Sequence, residues 1–282
     1  MKYNQYYSGI ISLIGQSNTG KSSILNRLME EKISITSHTL HTTQKNIFGI
    51  QTKGNYQCIY IDTPGIQKIK KNNNIIDKKI DGTILNSNII LFVIEHIKWN
   101  INDELILNKI KKNNIPKILL INKIDLIKNK KLFLPHIDFL QKKLYFEEII
   151  FVSAKTRENI KKLSEIIKNY LPVSRHIFLK KEKTNYSKKF IISEIIREKI
   201  IRNLSQELPY IIKVKIQDWI KKTEKIVIHA LIFVKHASQK KILIGKNGMN
   251  IKKFSILARK EIEKKFNIKI FLYLWIKIGY NS

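Results

Sequence analysis

The sequence predicts an α/β chain, with a doubly wound sheet carrying helices on both faces and then a smaller α+β domain. Three observations predict it. The stretch Gly15-Gln16-Ser17-Asn18-Thr19-Gly20-Lys21-Ser22 has G-x-x-x-x-G-K-[ST] spacing between a β-branched run and an amphipathic segment. Short apolar runs then alternate with helical patterns as far as Pro172. No glycine occurs between Gly82 and Gly245, and the pair Gly245 and Gly248 then interrupts a strongly basic C-terminal third.

Ile10–Ile14 reads as a buried strand, and Ser22–Glu30 as a helix with Ile24, Leu25 and Leu28 on one face. Strand, glycine loop and helix together aim backbone N–H groups and a helix N-terminus at a polyphosphate. Gly15 and Gly20 let the backbone curl close to the oxygens. Lys21 would reach the β- and γ-phosphates, and the Ser22 hydroxyl would hold Mg²⁺. The polar, hydroxyl-rich residues 32–43 lack helical periodicity and read as a loop.

Asn46–Gln51 and Tyr56–Ile61 read as strands joined by a turn at Lys53-Gly54-Asn55. The second runs into Asp62-Thr63-Pro64-Gly65, where Asp62 can reach a metal through water and Gly65 can offer its N–H to a γ-phosphate. Ile89–Glu95 is a further strand, Asp103–Lys111 an amphipathic helix and Lys117–Ile121 a strand ending in Asn122-Lys123-Ile124-Asp125. A carboxylate at Asp125 can accept from the N1–H and 2-amino group of guanine. Adenine lacks that donor pair, so the motif favours guanine. Asn122 would brace the loop and the Lys123 stem would lie over the base. The strand Glu148–Val152 leads to Ser153-Ala154-Lys155, able to close on the base from the other side, and Ile160–Tyr170 is the last helix of the domain. Four strand-end loops in this order converge on one carboxyl edge.

The boundaries expected are 1–172 for this domain, 173–189 for a basic linker and 190–282 for the second domain. In the latter, Phe190–Leu204 reads as helix, Tyr210–Ile220 and Lys225–Lys235 as antiparallel strands, Ile251–Phe266 as helix and Ile268–Ile278 as a final strand. Ile244-Gly245-Lys246-Asn247-Gly248 forms a G-x-x-G turn between helical segments, placing backbone N–H groups and a lysine against a nucleic-acid backbone. Trp99, Trp219 and Trp275 read as packing residues, with flanking of RNA the alternative for Trp275 on the last strand.

The composition agrees with this plan. A chain of 282 residues, 43% hydrophobic, can build two cores. The net charge is +31, with 27 Lys and Arg against 14 Asp and Glu in residues 1–172 and 26 against 8 in residues 173–282. Such a field favours a polyanion as partner, nucleic acid before anionic membrane, although about half of the excess is set down to compositional drift. A lone Cys58 gives no disulfide framework or thiolate zinc site, which suits a reducing cytosol. The N-terminus lacks a signal-peptide core and no apolar run is long enough to cross a membrane, so a soluble chain is expected.

Together these motifs resemble the Era family of bacterial GTPases across nearly the whole chain. Lys32-Ile33-Ser34-Ile35-Thr36-Ser37 with Thr42-Thr43 looks like that family's first switch, and Ser193–Lys199 with Glu207-Leu208-Pro209-Tyr210 like the opening of its type II KH domain. The resemblance implies a P-loop GTPase domain followed by a KH domain. It also implies GTP hydrolysis, and binding of the 16S rRNA 3′ end during maturation of the small ribosomal subunit. The implied protein is a monomer of the cytoplasm with peripheral association at the inner membrane. Ser22, Thr43 and Asp62 would serve Mg²⁺, Asn18 a K⁺ beside the phosphates, and Ile66 follows Gly65 where small signalling GTPases carry a water-orienting Gln. Catalysis would then rest on Mg²⁺, Lys21, Thr43, the Gly65 amide and Asn18, with a slow intrinsic rate. Ser17 and Thr19 replace the family's usual Pro and Val, and the chain stops about a helix before the family's usual end. Two other readings stay open here. One is an RNA-binding module with a decayed GTPase domain, which a hydrolysis assay separates. The other is a membrane-docking GTPase, which liposome pelleting in competition with rRNA separates.

Overall fold

The computed structural model describes residues 5–36, 46–65, 81–95, 99–127, 133–204, 212–221 and 225–279. The described residues of Met1–Ser34 and Thr43–Asn185 form one compact unit, and those of Ile35–Thr42 and Tyr186–Ser282 form another.

The first unit is built on a six-stranded sheet in the order β2-β3-β1-β4-β5-β6. Its strands are β1 (Tyr7–Ile14), β2 (Ile47–Lys53), β3 (Tyr56–Asp62), β4 (Ile89–Glu95), β5 (Lys117–Asn122) and β6 (Glu148–Phe151). All pairings are parallel except β2 with β3, the hairpin expected around Gly54. Helices α1 (Lys21–Leu28), α2 (Ile101–Ile110), α3 (Phe133–Gln141) and α4 (Ile160–Asn169) flank it. Ile90, Phe92 and Ile94 of β4 pack with Ile106, Leu107 and Ile110 of α2 and Leu140 of α3. The alternate residues Leu91 and Val93 are equally buried, so both faces of β4 are covered, which explains its unbroken apolar sequence.

The sequence expectations map closely, with ends differing by up to three residues, as where β1 starts at Tyr7 ahead of the expected Ile10. Helix α2 begins ahead of the expected Asp103 because Asn100 caps it: its side chain accepts from the Asn102 and Asp103 N–H groups, while the Asp103 carboxylate accepts from the Asn100 N–H. Helix α3 was not expected. The stretch 173–183, marked as linker in the sequence, lies along β2 and β3. Buried Gln57 accepts from the N–H groups of Ile177 (2.8 Å) and Phe178 (3.0 Å) and donates to the Phe178 carbonyl (2.8 Å) and Thr52 Oγ1 (2.9 Å). The Ile50 N–H donates to the Lys183 carbonyl.

The second unit holds a three-stranded sheet in the order β7-β8-β9, with β7 (Lys213–Lys221), β8 (Ile226–Val234) and β9 (Ile270–Ile278). β7 and β8 are antiparallel, as expected, and β8 and β9 are parallel. Helices α5 (Lys188–Asn203), α6 (Ala237–Ile244) and α7 (Met249–Phe266) accompany it. One sheet face supplies Ile216, Ile228, Ala230, Ile232 and Ile270 to a core with Ile192, Ile196 and Ile200 of α5 and Phe254, Ala258 and Ile262 of α7. Trp219 packs against this core and Trp99 against that of the first unit, as the sequence suggested. No described helix is long and apolar enough to cross a membrane.

Candidate functional site

Parallel pairing places the predicted loops at one edge of the six-stranded sheet. Leu13 pairs with Asp62 and Glu95 with Asn122, so the loops after β1, β3, β4 and β5 leave from the same end. Ser153 lies just past β6, in step with them.

The loop after β1 leads directly into α1. Gly20 adopts φ 95° as the residue before the helix, and a Cβ there would lie 2.2 Å from Asn122 Nδ2. The close approach fixes the residue type. The buried Thr19 hydroxyl donates to the Gln16 carbonyl at 3.0 Å, and Ser17 Oγ donates to the Gly65 carbonyl at 3.3 Å. Asn18 takes a left-handed conformation at φ 65°. Lys21 Nζ donates to the carbonyls of Gly15 (3.0 Å) and Gln16 (2.7 Å), curled back along the loop it follows. Burial lowers its pKa from 10.5 to about 8, and the Asp62 carboxylate limits the fall.

Asp62 is fully buried, and Ser22 Oγ donates to its Oδ2 at 2.5 Å. The Ser34 hydroxyl also donates to Oδ2, at 2.7 Å, and Asn26 holds that segment by accepting from the Ile33 and Ser34 N–H groups. A carboxylate and hydroxyls beside a phosphate cradle are the hard-oxygen donor set that Mg²⁺ takes, with nucleotide oxygens and water completing its shell. Ser34 was not singled out from sequence, where it is one hydroxyl among many in residues 32–43. Thr63 turns its hydroxyl to the Leu13 carbonyl at 2.7 Å, so it ties β3 to β1, and Pro64 follows it. Thr43 and Ile66 lie outside the described residues.

Asn122 joins two of the loops. Its Nδ2 donates to the Thr19 carbonyl at 2.7 Å, and its Oδ1 accepts from the Ala154 N–H at 3.2 Å. Asp125 Oδ1 accepts from Ser153 Oγ at 2.6 Å, and Oδ2 faces exposed Lys155 Nζ at 3.9 Å. The bracing role read for Asn122 is therefore visible, and the Asp125 carboxylate is oriented by the neighbouring loop. Lys123 sits in a left-handed conformation ahead of the short turn Ile124–Leu126, and its Nζ lies 3.1 Å from Glu95 Oε2. A further polar network lies beside the phosphate loop: Gln16 Nε2 donates to Asn100 Oδ1 at 2.9 Å, and burial pushes the Asp103 carboxyl up. Its sequence signal was the Asn100-x-x-Asp103 capping pattern.

The second unit presents the G-x-x-G turn. Ile244 ends α6, Gly245 follows at φ 71°, Asn247 and Gly248 are left-handed, and α7 begins at Met249. The Gly248 N–H donates back to the Gly245 carbonyl at 3.2 Å. A Cβ on Gly245 would come within 2.7 Å of Asn250 Cγ, whose side chain donates to the Ile242 carbonyl, whereas a Cβ on Gly248 would meet nothing within 4 Å. The turn is thus braced inside at Gly245 and open outside at Gly248 and Lys246.

Residues 10–123 match a family described as 50S ribosome-binding GTPase, and residues 207–281 match the KH domain. GTPase Era of Buchnera aphidicola subsp. Schizaphis graminum is 51% identical over 279 residues, which is 99% of both chains. The same protein of Buchnera aphidicola subsp. Acyrthosiphon pisum is 49% identical over 281 residues, 98% of this chain and 99% of the relative. A crystal structure of Era in complex with MgGDPNP and nucleotides 1506–1542 of 16S ribosomal RNA superposes with a TM-score of 0.93 at 33% identity, over 97% of this chain and 94% of that one. An Aquifex aeolicus Era variant bound to GDP·AlF4⁻ gives 0.92 at 33% identity over the same shares.

Proposed function

This chain belongs to the Era family of GTPases, and from that premise we propose that it binds and hydrolyses GTP, binds the 3′ end of 16S rRNA through its second unit and assists maturation of the small ribosomal subunit. One observation carries the nucleotide half of the reading. Asn122 links the phosphate loop, through the Thr19 carbonyl, to the guanine-side loop, through the Ala154 N–H, so phosphate and base contacts form one unit.

In the nucleotide complex the chain's residues divide the work. The N–H groups of the loop from Gly15 to Ser22 cradle the β-phosphate, and Lys21 turns from its carbonyl partners to the β- and γ-phosphates. Ser22 and Asp62, with Thr43, would hold Mg²⁺, which would supply charge neutralisation at the β- and γ-oxygens. Gly65 would offer its amide to the γ-phosphate, and Asn18 would help hold a K⁺. Asp125 and Asn122, with Lys123, Ile124 and Ser153 to Lys155, enclose guanine. With Ile66 after Gly65, no side chain there orients the attacking water, and the intrinsic rate is slow.

In the second unit, Ile244 to Gly248 form the RNA-binding turn, supported by its open outer side and by the charge of residues 173–282. GTP fixes the switch segments and favours RNA binding, and hydrolysis releases it. A division into two domains, the monomeric state, the cytoplasmic location and a peripheral contact with the inner membrane belong to the same proposal. They are supported by the family, and the membrane contact also by the +31 charge.

The test measures GTP turnover, and binding to an RNA matching the 16S 3′ end, with GDP and with a non-hydrolysable GTP analogue across a salt series. Turnover, with tighter analogue-state binding that survives high salt and exceeds binding to a scrambled RNA, is the expected result. Equal affinity for both RNAs with only a steep salt slope would refute the sequence-reading role. Absence of turnover would refute the GTPase role.

A further inference from the structure

Strand β9 is an edge strand whose alternate residues face opposite sides of the sheet. Leu272, Leu274 and Ile276 pack into the core under α5 and α7. The intervening residues face away from it, and three of them are aromatic: Phe271 is 44% exposed, Tyr273 48% and Trp275 58%. The other two tryptophans, Trp99 and Trp219, pack against cores instead. Trp275 is the tryptophan for which the sequence left both a packing and an RNA-flanking role.

The neighbours of this row are basic and aromatic. Tyr273 pairs with His229 on β8, with ring centroids 5.1 Å apart, and Lys225 Nζ lies 4.6 Å from the Phe271 centroid. Trp275 pairs with Leu231, which pairs with exposed Lys215, and exposed Lys277 continues the β9 row. Among the described residues of this sheet face, Asp218 is the one acid. Residues two apart on a strand stand about 6.6 Å from one another, a spacing over which an extended single strand can lay successive bases. Every base offers a π-face, and rings flanked by cations are how sheets hold single-stranded nucleic acid without needing sequence.

We propose that the outward face of β7-β8-β9, centred on Phe271, Tyr273 and Trp275, is a second RNA contact that stacks bases of a single strand. This rests on the reading of the second unit as RNA-binding and adds a surface separate from the G-x-x-G turn. Helix α6, which leads into that turn, also packs against β9, so both surfaces flank the same edge of the unit. The charge argues for RNA as occupant: residues 173–282 carry 26 Lys and Arg against 8 Asp and Glu.

The test uses the full chain with the non-hydrolysable analogue and a labelled single-stranded RNA ending in the 16S 3′ sequence. The double variant Tyr273→Leu with Trp275→Leu keeps apolar bulk but loses the rings. It should weaken binding on the order of tenfold or more with an unchanged salt slope, since no cation is removed. Tyr273→Phe with Trp275→Phe should restore it, and Lys246→Ala should instead flatten the slope. Melting temperatures check the fold of each variant, and quenching of wild-type tryptophan fluorescence by the RNA gives a readout that needs no variant. Three outcomes overturn this inference alone: leucine-pair affinity equal to wild type while Lys246→Ala weakens binding, no quenching on saturation with RNA, or a ring-dependent affinity seen only for phosphatidylethanolamine–phosphatidylglycerol vesicles. Wild-type protein that does not bind the RNA at all overturns the parent reading, and this one with it.

Discussion

Nucleotide binding should return a proton to Lys21. In the free protein, burial sets its pKa at about 8 against an ordinary 10.5. A polyphosphate beside the ammonium favours the charged form and lifts the value, so binding above neutrality takes up protons. For a free-state pKa of about 8, the uptake is about a tenth of a proton at pH 7, a half at pH 8 and nine-tenths at pH 9. Affinity should fall by about twofold at pH 8 and about tenfold at pH 9 relative to its acid limit. Calorimetric titration with GDP in buffers of differing ionisation enthalpy reads the uptake directly, and Lys21→Met provides the baseline. The stability of the nucleotide-free fold carries the same signature. Because the folded pKa is the lower one, the unfolded chain binds more protons between about pH 8 and 10.5. This contribution therefore rises with pH through that window, by about 3 kcal/mol in total. Proton uptake near zero at both pH 8 and pH 9 would refute the assignment of Lys21 as a buried, phosphate-seeking lysine.

Asp125→Asn removes the acceptor offered to the guanine donors. Two charge-assisted hydrogen bonds of about 1.5–3 kcal/mol each predict a loss of GDP affinity on the order of 100-fold or more, with little change for ADP, read by fluorescent-nucleotide displacement. Gly20→Ala places a methyl 2.2 Å from Asn122 Nδ2 at a positive φ, so nucleotide affinity and melting temperature should both fall, whereas Gly54→Ala, also at a positive φ but with a Cβ that would meet nothing within 4 Å, should cost only the backbone strain of about 1–2 kcal/mol and leave nucleotide affinity unchanged. Gln57→Leu leaves the Ile177 and Phe178 N–H groups and the Phe178 carbonyl without their buried partner. A loss of about 2–4 kcal/mol in chemical denaturation is expected, together with faster hydrogen exchange at residues 177 and 178.

Much of this architecture was legible because the six-stranded sheet is buried on both faces, so runs such as Ile89–Glu95 are apolar without alternation. The phosphate and base loops were legible because their chemistry demands particular residues at the ends of such strands. Other features depend on contacts far apart in the chain. Ser34 meets Asp62 across 28 residues, and nothing around it distinguishes its hydroxyl from its neighbours'. Gln57 organises residues some 120 positions later, so a polar residue in a strand gave no hint that residues 173–183 would lie against it. Helix α3 carries Pro135 and His136, and among its described side chains the buried core residue is Leu140, too little for a periodic signal. In the second unit the parallel placement of β9 beside β8 follows from α6 and α7 intervening between them, and the exposure of its aromatic row required knowing which face the helices cover.

The Asn122 link has a consequence for what can occupy the first unit. By tying the Thr19 carbonyl to the Ala154 N–H, a single amide sets the span between the place where phosphates are gripped and the place where a base is read. In the proposed site each grip taken alone would be a weak receptor, for a polyphosphate or for guanine. Held at a fixed separation, they act as the two jaws of a caliper. A ligand whose own covalent skeleton matches the gap engages the second grip at a high effective concentration once the first has closed. Guanosine and inorganic polyphosphate supplied as separate molecules forfeit that advantage. In the proposed site, selection would therefore be by length as well as by hydrogen-bond pattern, and the measuring element is the Asn122 side chain that spans the two loops.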